Sequence, residues 1–168
     1  MRIVLFTFLI AFFTSCKKDT VQTYLLESEN RPELVSYDFS SDMLAFAKNF
    51  IEEAEIPVIK SIDKVKLFGL NIEDNSLEAY EQEKQRLQTI LENSEYKKLL
   101  NIKKDGRQIK IYYNGEQEAI DEVLVFGYSD DQGVGLARVL GNNINPTEIM
   151  EVVDNKKLNS LINGNAFE

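Results

Sequence analysis

The sequence contains no histidine, no tryptophan and only one cysteine, Cys16. Without histidine, the chain cannot build the Ser-His-Asp or Cys-His arrangements of nucleophilic catalysis, and it lacks the commonest neutral metal ligand. A single cysteine excludes an intramolecular disulfide and the CxxC motifs of metal and redox sites. The absence of tryptophan removes one common aromatic platform for sugars and cations.

Basic residues are also few relative to acidic ones, with 19 Lys and Arg against 28 Asp and Glu. The resulting net charge of −9 repels phosphate backbones, so no nucleic-acid partner is expected. A length of 168 residues, of which 43% are hydrophobic, is typical of one folded domain with a real core.

A long apolar run is absent, but a shorter one opens the chain. It follows Arg2, reads IVLFTFLIAFF, and leads into Thr14, Ser15 and Cys16. A helix that spans a bilayer needs about 20 apolar residues. A positive start, a short apolar stretch and small residues are instead typical of a secretory signal peptide. Residues 1–15 are therefore predicted to be a signal peptide.

The small residues before Cys16 resemble a bacterial lipobox. The resemblance implies a diacylglycerol on the Cys16 sulfur, cleavage before this residue and acylation of the new amino group. Two or more acyl chains anchor a protein stably, so a membrane partner through lipid on Cys16 is expected. A plain secretory signal with a chance cysteine and an uncleaved anchor are the alternatives. Lys17 in place of an aspartate favours the outer membrane and leaves the periplasmic and surface faces both open.

The remaining chain divides into a tether and one domain. Residues 16–39 mix polar and charged residues without a clear period and are interpreted as a lipid-anchored tether. A single α+β domain is predicted over residues 40–168. Its first helix is expected over residues 43–54, where apolar residues recur at helical spacing. Phe46 and Phe50 in that stripe are assigned to the core rather than to a ligand site.

A strand over residues 58–72, with a break or bulge near Gly69, comes next. A second helix is predicted to open at Asn75-Ser76, with Glu78 in the spacing of a capping box. One face of this helix is expected to be buried and the other, which is charged, to be solvated. The buried set is Leu77, Tyr80, Leu87 and Leu91, and the solvated set is Glu81, Glu83, Lys84 and Arg86.

The clearest local signal is NIKKDGRQIKIYYNG, in which Asp105-Gly106 reads as a two-residue hairpin turn. Counting outward from the turn predicts the pairs Lys104–Arg107, Ile102–Ile109, Leu100–Ile111 and Asn101–Lys110. Further elements are expected as a helical turn over 116–121, strands over 123–128 and 134–140 joined by SDDQG, and a final helix from Asn145-Pro146. Together they predict an α+β fold, an antiparallel sheet of about four or five strands with helices packed on one face.

Several groups of residues could indicate a catalytic or binding site by their type or spacing. Gly133 and Gly135 begin a dinucleotide-loop pattern, but Arg138 stands in place of its third glycine. SDDQG begins like a calcium loop whose later ligands are missing. Four acids could serve a carboxylate-dependent hydrolase, and three tyrosines could form part of a binding face. These are Glu116, Glu118, Asp121 and Glu122, and Tyr112, Tyr113 and Tyr128. Because neighbours in a strand point to opposite faces, one of Tyr112 and Tyr113 is assigned to the core. No catalytic, cofactor-binding or metal-binding residue is predicted.

Four segments of the sequence resemble a known family. They are the leader ending in Cys16, the KKDGRQIKIYYNG hairpin, the EVLVFGYSDDQGVGLARVLG strand pair and the closing NPTEIMEVV helix. They resemble the Bacteroidota envelope lipoproteins grouped as domain of unknown function 4252. The resemblance covers nearly all of the mature chain and implies an envelope address and a compact α+β fold, without catalytic residues. The preferred hypothesis is a non-catalytic interaction module with an envelope protein as partner. A small-ligand binder and a carboxylate-dependent hydrolase are the alternatives.

Overall fold

The computed structural model of the protein describes residues 19–40, 42–43, 61–104, 106–116 and 119–145. Within these ranges, two helices and six strands have described bounds. In chain order they are α1 (Val21–Ser28), β1 (Val35–Ser40), β2 (Ile62–Asn71), α2 (Leu77–Glu92), β3 (Lys97–Lys104), β4 (Arg107–Glu116), β5 (Ala119–Ser129) and β6 (Gly133–Ile144).

The six strands form one antiparallel sheet in the order β1-β2-β6-β5-β4-β3. The α+β class is therefore confirmed, while the predicted number of four or five strands is wrong. The strand that was missed is β1, which pairs with β2 from Val35 opposite Gly69 to Ser40 opposite Lys64.

The segment interpreted as a tether contributes both α1 and β1, so that interpretation is wrong from Asp19 onward. Thr20 caps α1, because its hydroxyl accepts a hydrogen bond from the Thr23 amide at 3.2 Å. Tyr24 and Leu25 are buried against the rest of the domain. The composition conceals these elements because α1 is short and β1 is an edge strand with mostly exposed residues.

Side chains alternate between the two faces of the sheet. On one face, called the helix side below, α1 and α2 pack on apolar strand residues, as predicted for helices on one face. These strand residues are Phe68, Leu70, Tyr112, Leu124, Phe126, Val134 and Leu136. The opposite face, called the far face, has its own buried cluster of Ile111, Tyr113, Ile120, Val123 and Ile144. Tyr112 and Tyr113 are thus both core residues, where only one was expected.

The hairpin register is confirmed for every predicted pair, and Gly106 has the positive φ, 77°, that its turn requires. The bulge predicted near Gly69 is wrong, because the register runs unbroken through that residue and shifts between Ile62 and Lys64. The helical turn over 116–121 is also wrong, since Glu116 at the end of β4 pairs with Ala119 at the start of β5.

The start of α2 differs from the prediction by one residue. Ser76, not Asn75, caps the helix, and its hydroxyl accepts a hydrogen bond from the Ala79 amide at 3.1 Å. Of the residues expected to be buried, Leu77 is 66% exposed, whereas Tyr80, Leu87 and Leu91 are buried as predicted.

Several predictions lie outside the described residues. These are the signal peptide, Cys16, Glu118, the helix over 43–54 beyond Met43 with its Phe46 and Phe50, and the final helix beyond Asn145. In the part of the chain that the structure describes, no helix is both long and apolar enough to cross a membrane.

Candidate functional site

Three glycines lie side by side across inner strands of the sheet. Gly69 on β2 pairs with Gly135 on β6, which pairs in turn with Gly127 on β5. The line continues to Val35 on β1 and to Ile109 on β4. Because the flanking residues of each strand belong to the helix-side core, this glycine row faces the far side.

Backbone geometry does not require glycine at two of these three positions. A Cβ built on Gly69 would come no nearer than 3.7 Å to another atom, and one on Gly127 no nearer than 3.9 Å. At Gly135 the approach is tighter, 3.1 Å to the Phe68 carbonyl oxygen. Glycine inside a strand weakens it and often marks a place where a ligand or another chain approaches closely. The row therefore leaves a bare strip of backbone, in which side chains would fit at Gly69 and Gly127.

This strip is the floor of a groove of about 390 Å³, called the glycine groove below. Its rim is mainly apolar and includes Val35, Tyr37, Leu67 and Ile109. Val35 and Tyr37 are 43% and 53% exposed, so apolar surface continues from the groove onto β1.

Arg107 is the only charged side chain among the described residues that line the glycine groove. Its Nη2 lies 3.8 Å from Oδ2 of Asp131, whose side chain is 68% exposed. A hydrogen bond from Ser129 holds the pKa of Asp131 below its usual value, and the charge of Arg107 lowers it further. One end of an apolar groove thus carries a cation.

A second cluster joins α1 to α2 around a carboxylate that was predicted to be solvated. Glu83 is only 4% exposed, so its assignment to the solvated face is wrong. Its Oε1 accepts hydrogen bonds from the Tyr24 hydroxyl at 2.7 Å and from Arg31 Nη1 at 3.0 Å, and its Oε2 accepts one from Arg31 Nη2 at 2.8 Å. Burial, and then the charge of Glu83, raise the pKa of Tyr24 well above its usual value. With three donors on two oxygens, this carboxylate is engaged in holding the helices.

Arg86, also on α2, forms hydrogen bonds with Asp19, the first described residue, and with Glu27. Its Nε donates to Asp19 Oδ2 at 2.8 Å and its Nη2 to Asp19 Oδ1 at 3.0 Å, while Nη2 also contacts Glu27 Oε2 at 2.7 Å. The guanidinium lies 5.2 Å from the centre of the Tyr24 ring. Arg86 is therefore a link between α2 and the residues around α1, beyond the solvated role predicted for it.

Of the acids predicted to be able to serve a hydrolase, the three that the structure describes do not converge. Glu122 is buried and accepts a hydrogen bond from Arg138 Nε at 2.7 Å, whereas Glu116 and Asp121 are exposed. Burial, and then the nearby Glu122, raise the pKa of Tyr96. Among the described residues, no group of three or more Asp, Glu, His or Cys side chains is arranged to hold a metal ion.

The tyrosines considered for a binding face are also divided. Tyr112 and Tyr128 pack at the helix-side core, where the Tyr128 hydroxyl donates to Gln108, while Tyr113 belongs to the far-face cluster. SDDQG forms the turn between β5 and β6, with Ser129 opposite Gly133, as its reading as a hairpin link predicted. Gly133 and Gly135 lie within β6 rather than at a strand-to-helix turn.

Sequence reasoning missed the glycine row although a signal for it exists. The three stretches LFGLN, VFGYS and VGLAR each place a glycine between apolar residues. Alternation within a strand indicates that each glycine faces away from a buried neighbour. Only the strand order, with β2 beside β6, brings the three into one row.

The sequence profile described as Domain of unknown function (DUF4252) matches residues 27–152. The match begins at the last two residues of α1 and spans every later described element through β6. No curated protein and no solved structure matches the chain.

Proposed function

The chain belongs to the DUF4252 family, and from that premise we propose that it is a lipid-anchored envelope protein of the Bacteroidota and a non-catalytic interaction module. In this proposal Cys16 carries the lipid, the outer membrane is the site of attachment, and the glycine groove is the surface offered to a partner in the envelope. The observation that carries the interaction role is the in-register row of Gly69, Gly135 and Gly127.

Anchoring is supported by the leader, whose apolar stretch ends in small residues directly before Cys16. The fold adds a spatial argument, because Arg86 binds Asp19 through two hydrogen bonds. Three peptide units separate Cys16 from Asp19, and their Cα atoms are therefore at most about 10 Å apart. Lipid on Cys16 would then hold the domain close to the bilayer rather than at the end of a tether.

A non-catalytic role is supported by the way the buried acids are used. Glu83 accepts three hydrogen bonds that join the helices, and Glu122 is paired with Arg138. A hydrolase needs two acids that converge on a substrate. The open apolar groove favours binding instead, because exposed apolar surface next to a concave floor is typical of interaction sites.

Metabolic labelling with a palmitate analogue tests the anchor. The wild-type chain and Ser15→Ala, which keeps a small residue before the cysteine, are expected to incorporate the label and to sediment with membranes. Cys16→Ala is expected to do neither. Label on Cys16→Ala, or none on the wild type, would contradict the proposal.

Photo-crosslinking in living cells tests the interaction surface. A benzoylphenylalanine at Tyr37 is expected to give one adduct of defined mass with an envelope protein, because this residue is exposed at the rim of the groove. The matched control is the same probe at Ser36, which lies on the same strand but opposite Phe68 of the helix side. Equal adducts at both positions, or none at Tyr37, would remove the groove from the proposal.

A further inference from the structure

We propose that two copies of this chain pair antiparallel through the outer edge of β1, about a two-fold axis at Tyr37. The sheets of the two copies then become one continuous sheet. This inference goes beyond the proposed function, because it uses the edge of β1 and leaves the floor of the glycine groove open. It does not depend on the lipid at Cys16.

The two edges of the sheet differ in how they are protected. Among the described strands, β1 and β3 are the outermost, and each pairs with one neighbour. Natural edge strands avoid pairing with other chains by means of lysines and bulges. The register of β3 with β4 shifts between Lys98 and Leu100, and β3 has lysines near both ends. These are Lys97, Lys98, Lys103 and Lys104. The edge at β3 is therefore closed to a further strand.

β1 has neither form of protection. Its sequence, VSYDFS, contains no lysine and no proline, and its register with β2 runs without a shift from Val35 to Ser40. Five of its six residues are exposed, with Val35 at 43% and Tyr37 at 53%. A regular, exposed edge with apolar side chains is a template for the addition of another strand.

The order of residues in β1 fits a second copy of itself. With the axis at Tyr37, Val35 lies opposite Phe39 of the partner copy. Side chains directly opposite each other share a face of the sheet, so the apolar residues of both copies meet on the far face. In one copy the rings of Tyr37 and Phe39 are already stacked, with 6.2 Å between their centres. Pairs of aromatic and β-branched residues across strands stabilise such a contact.

The same axis aligns the backbone groups. In an edge strand, every second residue directs its N–H and C=O groups outward. Because the axis lies on a residue, each outward residue of one copy meets an outward residue of the other. These residues exchange the hydrogen bonds of an antiparallel pair. An axis between two residues would instead set outward groups against inward ones.

Charge selects this axis among its neighbours. An axis at Asp38 would place two carboxylates directly opposite each other, which is destabilising. An axis at Ser36 would place Phe39 opposite Glu33, an acidic residue that precedes β1. With the axis at Tyr37, Asp38 faces only the hydroxyl-bearing Ser36 of the partner copy.

Asp38 carries the only charge on β1, and lysines of its own copy compensate it. Its Oδ2 lies 3.0 Å from Lys64 Nζ and 3.7 Å from Lys66 Nζ, both on β2. The net charge of −9 on each chain opposes association in general. At the paired strands themselves, these two lysines offset the repulsion.

Pairing also extends the glycine groove. Val35 continues the glycine row onto β1 and lines the groove. Because Phe39 of the partner copy lies opposite Val35, each copy adds an aromatic side chain next to the rim of the other copy's groove. The dimer therefore presents two glycine grooves on one face, related by the two-fold axis.

Sedimentation velocity of the full chain in detergent measures self-association. We expect a concentration-dependent dimer for the wild type. Tyr37→Lys and Tyr37→Glu each set like charges opposite each other across the axis, and each should weaken self-association at least about fivefold. The matched control is Leu77→Lys, which also replaces an exposed apolar residue, but on α2, and should associate as the wild type does.

A mixture of the two variants tests the axis itself. Equal amounts of Tyr37→Lys and Tyr37→Glu should associate more strongly than either variant alone, because a lysine then faces a glutamate across the axis. A wild type that stays monomeric at every concentration would overturn the inference. So would wild-type association in both single variants, or a mixture that associates no better than they do.

The outcome is separable from that of the proposed function, because adducts in cells are distinguished by mass. Adducts of two copies of this chain support the pairing, whereas adducts with a different envelope protein support the interaction role. A monomeric chain whose probe at Ser36 is crosslinked to a different protein would assign the edge to a foreign strand and refute the second copy. A dimeric chain that gives no adduct with another protein keeps the pairing and loses the proposed envelope partner.

Discussion

Arg31 and Glu83 meet side by side, with Nη1 3.0 Å from Oε1 and Nη2 2.8 Å from Oε2. The two residues are 52 positions apart in the sequence, so this contact closes a long loop between the turn after α1 and the middle of α2. A bidentate pair of this kind is both strong and directional. Because the Tyr24 hydroxyl binds the same carboxylate, Glu83 fixes the position of α1 on the domain.

Glu83→Gln is expected to lower the free energy of unfolding by about 2–3 kcal/mol. Removing one member of a fully buried pair costs about 3–5 kcal/mol, and the value is smaller here because the Arg31 side chain is 22% exposed and can be partly solvated. Urea denaturation at neutral pH measures the change.

The control is Glu81→Gln on the same helix, where the ion pair with Lys84 involves an exposed carboxylate. Its expected cost is about 0.5 kcal/mol or less. Equal costs for the two substitutions would show that Glu83 does not hold α1 in place.

Tyr24→Phe is expected to make stability less sensitive to alkaline pH. Burial and the charge of Glu83 raise the folded-state pKa of Tyr24 above the usual value of about 10. The folded state thus keeps a proton that the unfolded state releases above about pH 10, so the wild type loses stability as pH rises from there. Phenylalanine removes this alkaline loss of stability, because it has no hydroxyl to titrate. It also removes the hydrogen bond to Glu83, which should lower the free energy of unfolding at lower pH by about 1.5–3 kcal/mol.

The measurement is the free energy of unfolding between pH 8 and pH 12. The same measurement on Tyr80→Phe tests a second buried tyrosine. Burial, and then its hydrogen bond to Asp130, raise the pKa of Tyr80 to about 12, so this group loses its stabilising effect between pH 10 and 12. The slopes of both variants should be shallower than that of the wild type. Parallel curves for wild type and Tyr24→Phe would contradict the role assigned to burial.

The parts of the fold that follow from local sequence were predictable. The Asp105-Gly106 dipeptide in the sequence predicts the hairpin register, because a two-residue turn fixes the pairing of every residue beside it, and the described pairs follow that register. Glu83 could not be assigned correctly in the same way, since its burial depends on Tyr24 and Arg31, which the linear pattern places in a tether. The glycine groove also depends on strand order, because β2 lies beside β6 although their paired residues Asn71 and Gly133 are 62 positions apart in the sequence.

Glycines in this sheet are expected to respond in opposite ways to substitution. Gly127→Ala should raise the free energy of unfolding by about 0.5–1 kcal/mol, because its Cβ has room and alanine lowers the entropy of the unfolded chain. Gly133→Ala should lower it by at least about 1–3 kcal/mol. Gly133 has a φ of +131°, and its Cβ would lie 2.1 Å from the Leu70 carbonyl oxygen.

Thermal unfolding distinguishes the two cases, since 1 kcal/mol corresponds to roughly 2–8 °C in the midpoint of a domain of this size range. A stabilising Gly127→Ala would mean that glycine at this position is not there for the fold. A destabilising Gly127→Ala, of the size seen for Gly133→Ala, would indicate that the row serves the backbone and would weaken the case for a binding surface.

The last prediction concerns the orientation of the domain on a bilayer. Asp19 lies in a surface depression with Glu95 and Asn114, so these residues mark the end of the domain near the proposed lipid. Asp131 contacts Arg107, seven residues before Asn114 along β4. At about 3.3 Å per residue, Asp131 is thus about 23 Å farther from the anchored end.

A fluorophore placed through Glu95→Cys should therefore be quenched by headgroup spin-labelled lipid in reconstituted vesicles, and one placed through Asp131→Cys should not. Both chains retain Cys16, whose lipid is verified first by mass spectrometry. Insertion of 20 Gly and Ser residues after Lys18 adds an average reach of about 25 Å and should reduce quenching at Glu95→Cys. Equal quenching at the two positions of a lipidated chain would mean that the short connection to Asp19 does not orient the domain, and that the glycine groove is not held away from the membrane.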